Sequence, residues 1–217
     1  MKTDAELKSD VEAELAWDPA VKSTEIGVAV KDGIVTLSGH LQTYTEKWAV
    51  EKALRRIGGI RAIALELDVR LSPDHRRADT DIAQAAELAL KWHTLVPTDA
   101  VRITVDKGWL TLQGELDWDF QRKSVERALR DLKGVLGISN EIRLRQQPTP
   151  AGLERRIEAA LTRQAQREAR HIQVEVGPGG MVTLRGRVHS WHEREAAQGS
   201  AWAAPGVRAV INELTVG

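Results

Sequence analysis

The stretch GIVTLSG, residues 33 to 39, returns as GWLTLQG at 108 to 114 and as GMVTLRG at 180 to 186. Aligned on their closing glycines, Gly39, Gly114 and Gly186, the copies stand 75 and 72 residues apart. Twenty residues after each comes a further glycine: Gly59, Gly134 and Gly206. Each is followed by an apolar residue and a strand-like run, IRAIALELDV, VLGISNEIRL and VRAVINELTV. Three glycines held in register across three copies identify an internal triplication, which has to be recognised before any other feature of the fold is assigned.

Ahead of each quoted stretch, apolar residues alternate with a period of two: Ile26, Val28, Val30; Val101, Ile103, Val105; Ile172, Val174, Val176. That is a strand pattern. The opening glycines Gly33, Gly108 and Gly180 close the connectors KDG, DKG and GPGG, hairpin turns in which glycine accommodates a positive φ angle. On the return strand the apolar set is Val35, Leu37, Gly39, Leu41 and its equivalents. This places the second glycine on the inward face, where a missing Cβ is expected to let a helix approach closely.

Helical spacing follows in Val50, Ala53, Leu54, Ile57 and in Val125, Ala128, Leu129, Leu132. In the third copy Ala197, Ala201 and Ala204 surround Gly199, so a frayed, small-residue helix is expected there. Another helix precedes each hairpin, on Leu7, Val11, Leu15; Ile82, Ala86, Ala89; and Leu153, Ile157, Leu161. The fold class is α+β: three tandem small α-β-β-α-β domains, each a three-stranded mixed sheet with two helices on one face. The strand-helix-strand crossover favours parallel pairing of the last strand. Proline-containing joints, SPDHRR and QQPTPAG, divide the chain into 1–71, 72–145 and 146–217. Joints this short predict a restricted but not fixed mutual orientation.

These residues resemble the BON domain, named for bacterial osmotically induced and nodulation proteins. The resemblance lies in an alternating strand, a turn glycine, V-T-L-x-G-x-V, a helix and P-G-V-x-x-V-x-N-x-L-x-V. The third copy carries it most fully, as GMVTLRGRV and APGVRAVINELTV; the first has Leu65 where the pattern has asparagine. The resemblance implies the fold already derived, a non-enzymatic binding role, and attachment to anionic phospholipid surfaces, as proposed for envelope members. Unlike those members, this sequence shows neither a secretory leader nor a lipoprotein cysteine. A cytoplasmic address is the expectation, with a protein-interaction or self-associating scaffold as the alternative to lipid binding, and a stress role implied by the family name alone.

Charge favours no partner by itself: 31 Lys+Arg balance 31 Asp+Glu, which disfavours nucleic-acid binding. No apolar run reaches the roughly 18 residues of a membrane span. With no cysteine in the chain, thiolate chemistry and Cys-based metal sites are excluded. His189 and His192 in HSWH lack a third ligand nearby. Ser38 and His40 share a strand face without being held as nucleophile and base. GPGG joins strand to strand and leads into no helix, so it reads as a hairpin and not as a phosphate loop. No catalytic residue, metal or cofactor is expected.

Seven tryptophans against one tyrosine and one phenylalanine is unusual usage. Trp17 and Trp92 occupy equivalent places near the end of the first helix, either capping the local core or presenting indoles to a bilayer interface or partner. Ile34, Trp109 and Met181 align just after the turn glycine, on the face opposite the helices, where packing between repeats or between chains is expected. Arg122, Lys123, Arg127, Arg130 and Lys133 cluster on the second helix of copy two among acidic residues, as on a solvated face. Copy one has 10 basic and 12 acidic residues, copy two 12 of each, and copy three 9 basic and 7 acidic. The third is therefore the electrostatic candidate for an anionic surface, through Arg155, Arg156, Arg163, Arg167 and Arg170.

Overall fold

The computed structural model describes residues 2–97, 99–145, 150–164 and 172–216. The first repeat contains helix α1 (Asp4–Trp17), strands β1 (Ile26–Lys31) and β2 (Ile34–Leu41), helix α2 (Tyr44–Arg55) and strand β3 (Ala62–Val69). The second contains α3 (Asp79–Lys91), β4 (Val101–Asp106), β5 (Trp109–Leu116), α4 (Asp119–Arg130), β6 (Gly137–Asn140) and β7 (Arg143–Leu144). The third contains α5 (Leu153–Gln164), β8 (Ile172–Gly177), β9 (Met181–Val188), α6 (Trp191–Trp202) and β10 (Ala209–Val216). In every repeat the hairpin is antiparallel and the last strand joins the second in parallel, leaving that second strand in the centre. The mixed sheet follows from the crossover helix.

Each repeat has its own core. In the first, Leu37 and Leu41 of β2 meet Val50 and Leu54 of α2 and Leu7, Val11 and Leu15 of α1. Each of these buried side chains contributes about 1.5–3 kcal/mol relative to exposure. The third-copy helix is not frayed: α6 runs 12 residues like α2 and α4, because Ala197, Ser200 and Ala201 are small but fully packed. In the second repeat the predicted last strand is interrupted between β6 and β7, where the Asn140 side chain accepts from the Ile142 amide at 3.3 Å.

The opening glycines have the predicted role. Asp32 and Gly33, with φ of 51° and 74°, and Lys107 and Gly108, with 50° and 78°, form two-residue turns with both φ positive. These turns are clamped by a residue the sequence pattern did not reveal. The Asp4 carboxylate accepts from the amides of Asp32 and Gly33 at 2.8 and 3.0 Å, and Asp79 does the same for Lys107 and Gly108 at 2.7 and 2.9 Å.

The second glycine serves a different purpose from the one expected. A Cβ on Gly39 would lie 2.2 Å from the Glu25 carbonyl oxygen, and one on Gly114 would lie 2.1 Å from that of Ala100. The close approach is therefore to the backbone just ahead of the neighbouring strand, and not to a packed α-helix. With φ of 140° and 143°, both positions are in a region that other residues rarely adopt.

The repeats also touch one another through their second helices, so their orientation is more constrained than the joints alone imply. Near the start of α2, Thr45 Oγ1 donates to Asp131 Oδ1 at 3.0 Å, while the Trp48 ring lies under Arg130, the last residue of α4. From the first turn of α4, Arg122 lies 5.0 Å from the ring centroid of Trp202, the last residue of α6. From the start of α6, Trp191 Nε1 donates to the Ile60 carbonyl at 2.8 Å and Glu195 pairs with Arg55, the last residue of α2. Three contacts of one polarity thus close a cycle of first on second, second on third and third on first.

Candidate interaction surface

Trp17 and Trp92 are 83% and 79% exposed, so neither caps a core. Around Trp92 the second repeat gathers further apolar side chains. Leu88 lies one turn earlier on α3 and is 56% exposed, Leu95 in the following loop 47%, and Phe120 at the start of α4 53%. The loop is pinned to that helix, because Gln121 Nε2 donates to the Leu95 carbonyl at 3.0 Å. Phe120 in turn stacks with Trp118, ring centroids 6.5 Å apart. Single exposed apolar residues are ordinary, but four at one end of a small domain make that end the candidate contact surface. The approach of the Leu95 loop to the start of α4, where Phe120 stands, was invisible in sequence because the two segments are 25 residues apart.

The second aligned set, Ile34, Trp109 and Met181, keeps 44%, 48% and 40% exposure on the outer faces of the sheets. Trp109 lies over Gly137 on the adjacent strand, and its indole nitrogen donates to Ser139 Oγ at 2.9 Å. In the third repeat, Arg185 on this face is engaged by Glu175 and Glu213 at 2.8 and 2.7 Å; its hydrogen bond to Glu213, and then the charge of Glu175, raise its pKa.

The basic cluster of α4 is partly committed. Arg122 and Lys123 pair with the buried Asp119, and Arg130 is itself buried against Trp48. In the third repeat Arg155 and Arg156 are exposed on α5 and Arg163 stands in its last turn, while Arg167 and Arg170 lie outside the described residues. Among the described residues no group of three His, Cys, Asp or Glu could hold a metal ion, and no helix is long and apolar enough to cross a membrane.

The asparagine of the repeat pattern has a visible purpose. Asn212 Nδ2 donates to the Arg194 carbonyl and to Gln198 Oε1, both at 3.2 Å, while Asn212 Oδ1 accepts from the Leu214 amide. Asn140 ties β6 to α4 by the same set of bonds. A profile described as BON domain matches residues 3–70, 78–146 and 150–217. The chain belongs to the BON domain family. In the first BON domain, Leu65 replaces the asparagine and packs against the core.

The chain is similar to the osmotically-inducible protein Y of Escherichia coli strain K12, at 24% identity over 144 residues, spanning 64% of this chain and 72% of that protein. Among solved structures it is similar to CdsD, a structural protein of the type III secretion system of Chlamydia trachomatis, at 13% identity and a TM-score of 0.28, covering 98% of this chain and 92% of that one. The C-terminal domain of CdsD gives 14% and 0.27, with both chains covered completely.

Proposed function

We propose that this three-domain BON protein is a non-enzymatic binding protein that attaches to anionic phospholipid surfaces. The observation carrying the proposal is the cluster of Leu88, Trp92, Leu95 and Phe120, exposed at one end of the second domain beside Lys91. Indoles and leucines of this kind enter the interfacial layer, and a flanking cation adds attraction to anionic lipid. Trp17 repeats the exposed indole alone on the first domain. A cytoplasmic location and a stress-related role accompany this reading, the latter supported by the name of the similar Escherichia coli protein.

The test is co-sedimentation with anionic and zwitterionic vesicles across a salt series, with tryptophan emission recorded in parallel. Binding should require anionic lipid, weaken with salt and blue-shift the emission. Trp92→Ala and Leu88→Ser should each reduce it. Indifference to lipid charge, or undiminished binding by both variants, rejects the reading.

A second reading, a protein-interaction or self-associating scaffold, is favoured by Ile34, Trp109 and Met181, which stand exposed at equivalent places on all three outer sheet faces. Concentration-dependent association that Trp109→Ser abolishes would support it.

A further inference from the structure

Comparison of the three domains with one another isolates a groove in the third, at a place where the other two carry larger side chains. Gly59, Gly134 and Gly206 align, as do Leu7, Ile82 and Leu153, so equivalent positions can be read directly. Where the second helix ends against the first helix, the first domain has Arg56, held by Glu14 at 2.7 Å and Asp18 at 3.5 Å, next to the buried Ile57. In the second domain Leu132 packs onto the core there. In the third domain Arg56 and Ile57 become Ala203 and Ala204, and Glu14 becomes Ala160. The volume those side chains would fill is an open cleft of about 510 Å³ between α5 and the end of α6, within the size range of small-ligand sites.

The charge of the cleft is reversed as well. Ser9 and Asp10 of the first domain correspond to Arg155 and Arg156, which line the cleft together with Ala159, Ala160, Ala204 and Pro205. Two guanidinium groups beside an alanine-walled trough recognise an anion with an apolar tail: the head forms charge-assisted hydrogen bonds and the tail is removed from water. Guanidinium fits a planar carboxylate especially well, because its donors match both oxygens.

We infer that the cleft between α5 and α6 of the third domain binds one monomeric fatty-acid carboxylate, head on Arg155 and Arg156, chain along Ala159, Ala160 and Ala204. This site is separate from the lipid-surface contact of the second domain and stands whether or not that contact is used.

The test is calorimetric titration of the full chain with decanoate below its micelle concentration, and with decyltrimethylammonium, which has the same tail and the opposite charge. Decanoate should bind saturably at one site and the ammonium compound should not. Arg155→Gln with Arg156→Gln should weaken decanoate by about tenfold or more, since hydrogen bonds to charged groups are lost. Ala160→Glu with Ala204→Ile restores the first domain's residues at two of these places and should abolish binding by occupying the cleft and repelling the head. Exposed arginines on a helix surface can be changed without unfolding, so the glutamine pair remains informative if the filled variant does not fold. Trp92→Ala should leave decanoate binding unchanged, which separates this result from the vesicle assay. Equal binding of the two amphiphiles, no saturable binding of decanoate, or undiminished binding by the glutamine pair overturns the assignment.

Discussion

The guanidinium of Arg130, in the second BON domain, lies 3.7 Å from the centroid of the Trp48 ring, in the first. Arg130 is buried and its Nε has no hydrogen-bond partner among the described residues, so the indole face offsets part of the cost of burying its charge. Lys52 approaches the same ring at 5.1 Å. A desolvated cation on an indole is worth about 2 kcal/mol. Trp48 thus helps join the first two domains, alongside Thr45 and Tyr44.

Trp48→Ala should therefore lower the stability of the whole chain by about 2 kcal/mol and loosen the arrangement of domains. Thermal unfolding would show the loss, and small-angle scattering an increased radius of gyration. Trp109→Ala, whose ring covers only its own sheet, should leave the radius unchanged. Equal radii for native protein and Trp48→Ala would show that the remaining contacts of the cycle suffice to hold the domains.

Gly39 and Gly199 give opposite outcomes for the same substitution. Gly39→Ala places a Cβ 2.2 Å from a backbone oxygen at a φ of 140°, so the first domain should lose roughly 4 kcal/mol or more. Gly199, inside α6, has nothing within 4 Å of the position of a Cβ. Gly199→Ala should stabilise the third domain by about 1 kcal/mol. Chemical denaturation of the two variants, read against the native chain, checks both signs.

Tyr44, the one tyrosine of the chain, has its pKa raised above the usual value, first by burial and then by Glu126 of the second domain and Glu51 of its own. Below pH ~10 the folded and unfolded forms are both neutral at this residue and stability is unaffected. As the pH climbs through the unfolded value, the unfolded chain releases the proton first, so stability falls with rising pH. Tyr44→Phe should remove that part of the alkaline slope. Tyrosinate absorbance in the native protein should rise at a higher pH than in denaturant, and coincident titrations would contradict the assignment.

The repeat, the hairpins, both helices of each domain and the parallel last strand were all legible in the sequence. Period-two and helical apolar patterns, together with turn glycines, report local backbone preference and core face, and these do not depend on distant residues. The use of Gly39 was misread because the alternation gives the face of a side chain but not what passes beside the backbone. Asp4 and Asp79 were missed because an acidic residue starting a helix looks the same whether or not it clamps a turn 28 residues away in sequence.

The sequence by itself determined three BON domains, their α-β-β-α-β order and the inward positions of each. The tertiary structure alone decided that Trp17 and Trp92 are exposed, that Trp48, Trp191 and Trp202 join domains, and that the third domain is hollow where the first holds Arg56. The physical reason is that local patterning specifies which side of an element is apolar, whereas exposure, contact between domains and the shape of a cleft depend on what the remaining side chains fill once the chain has packed.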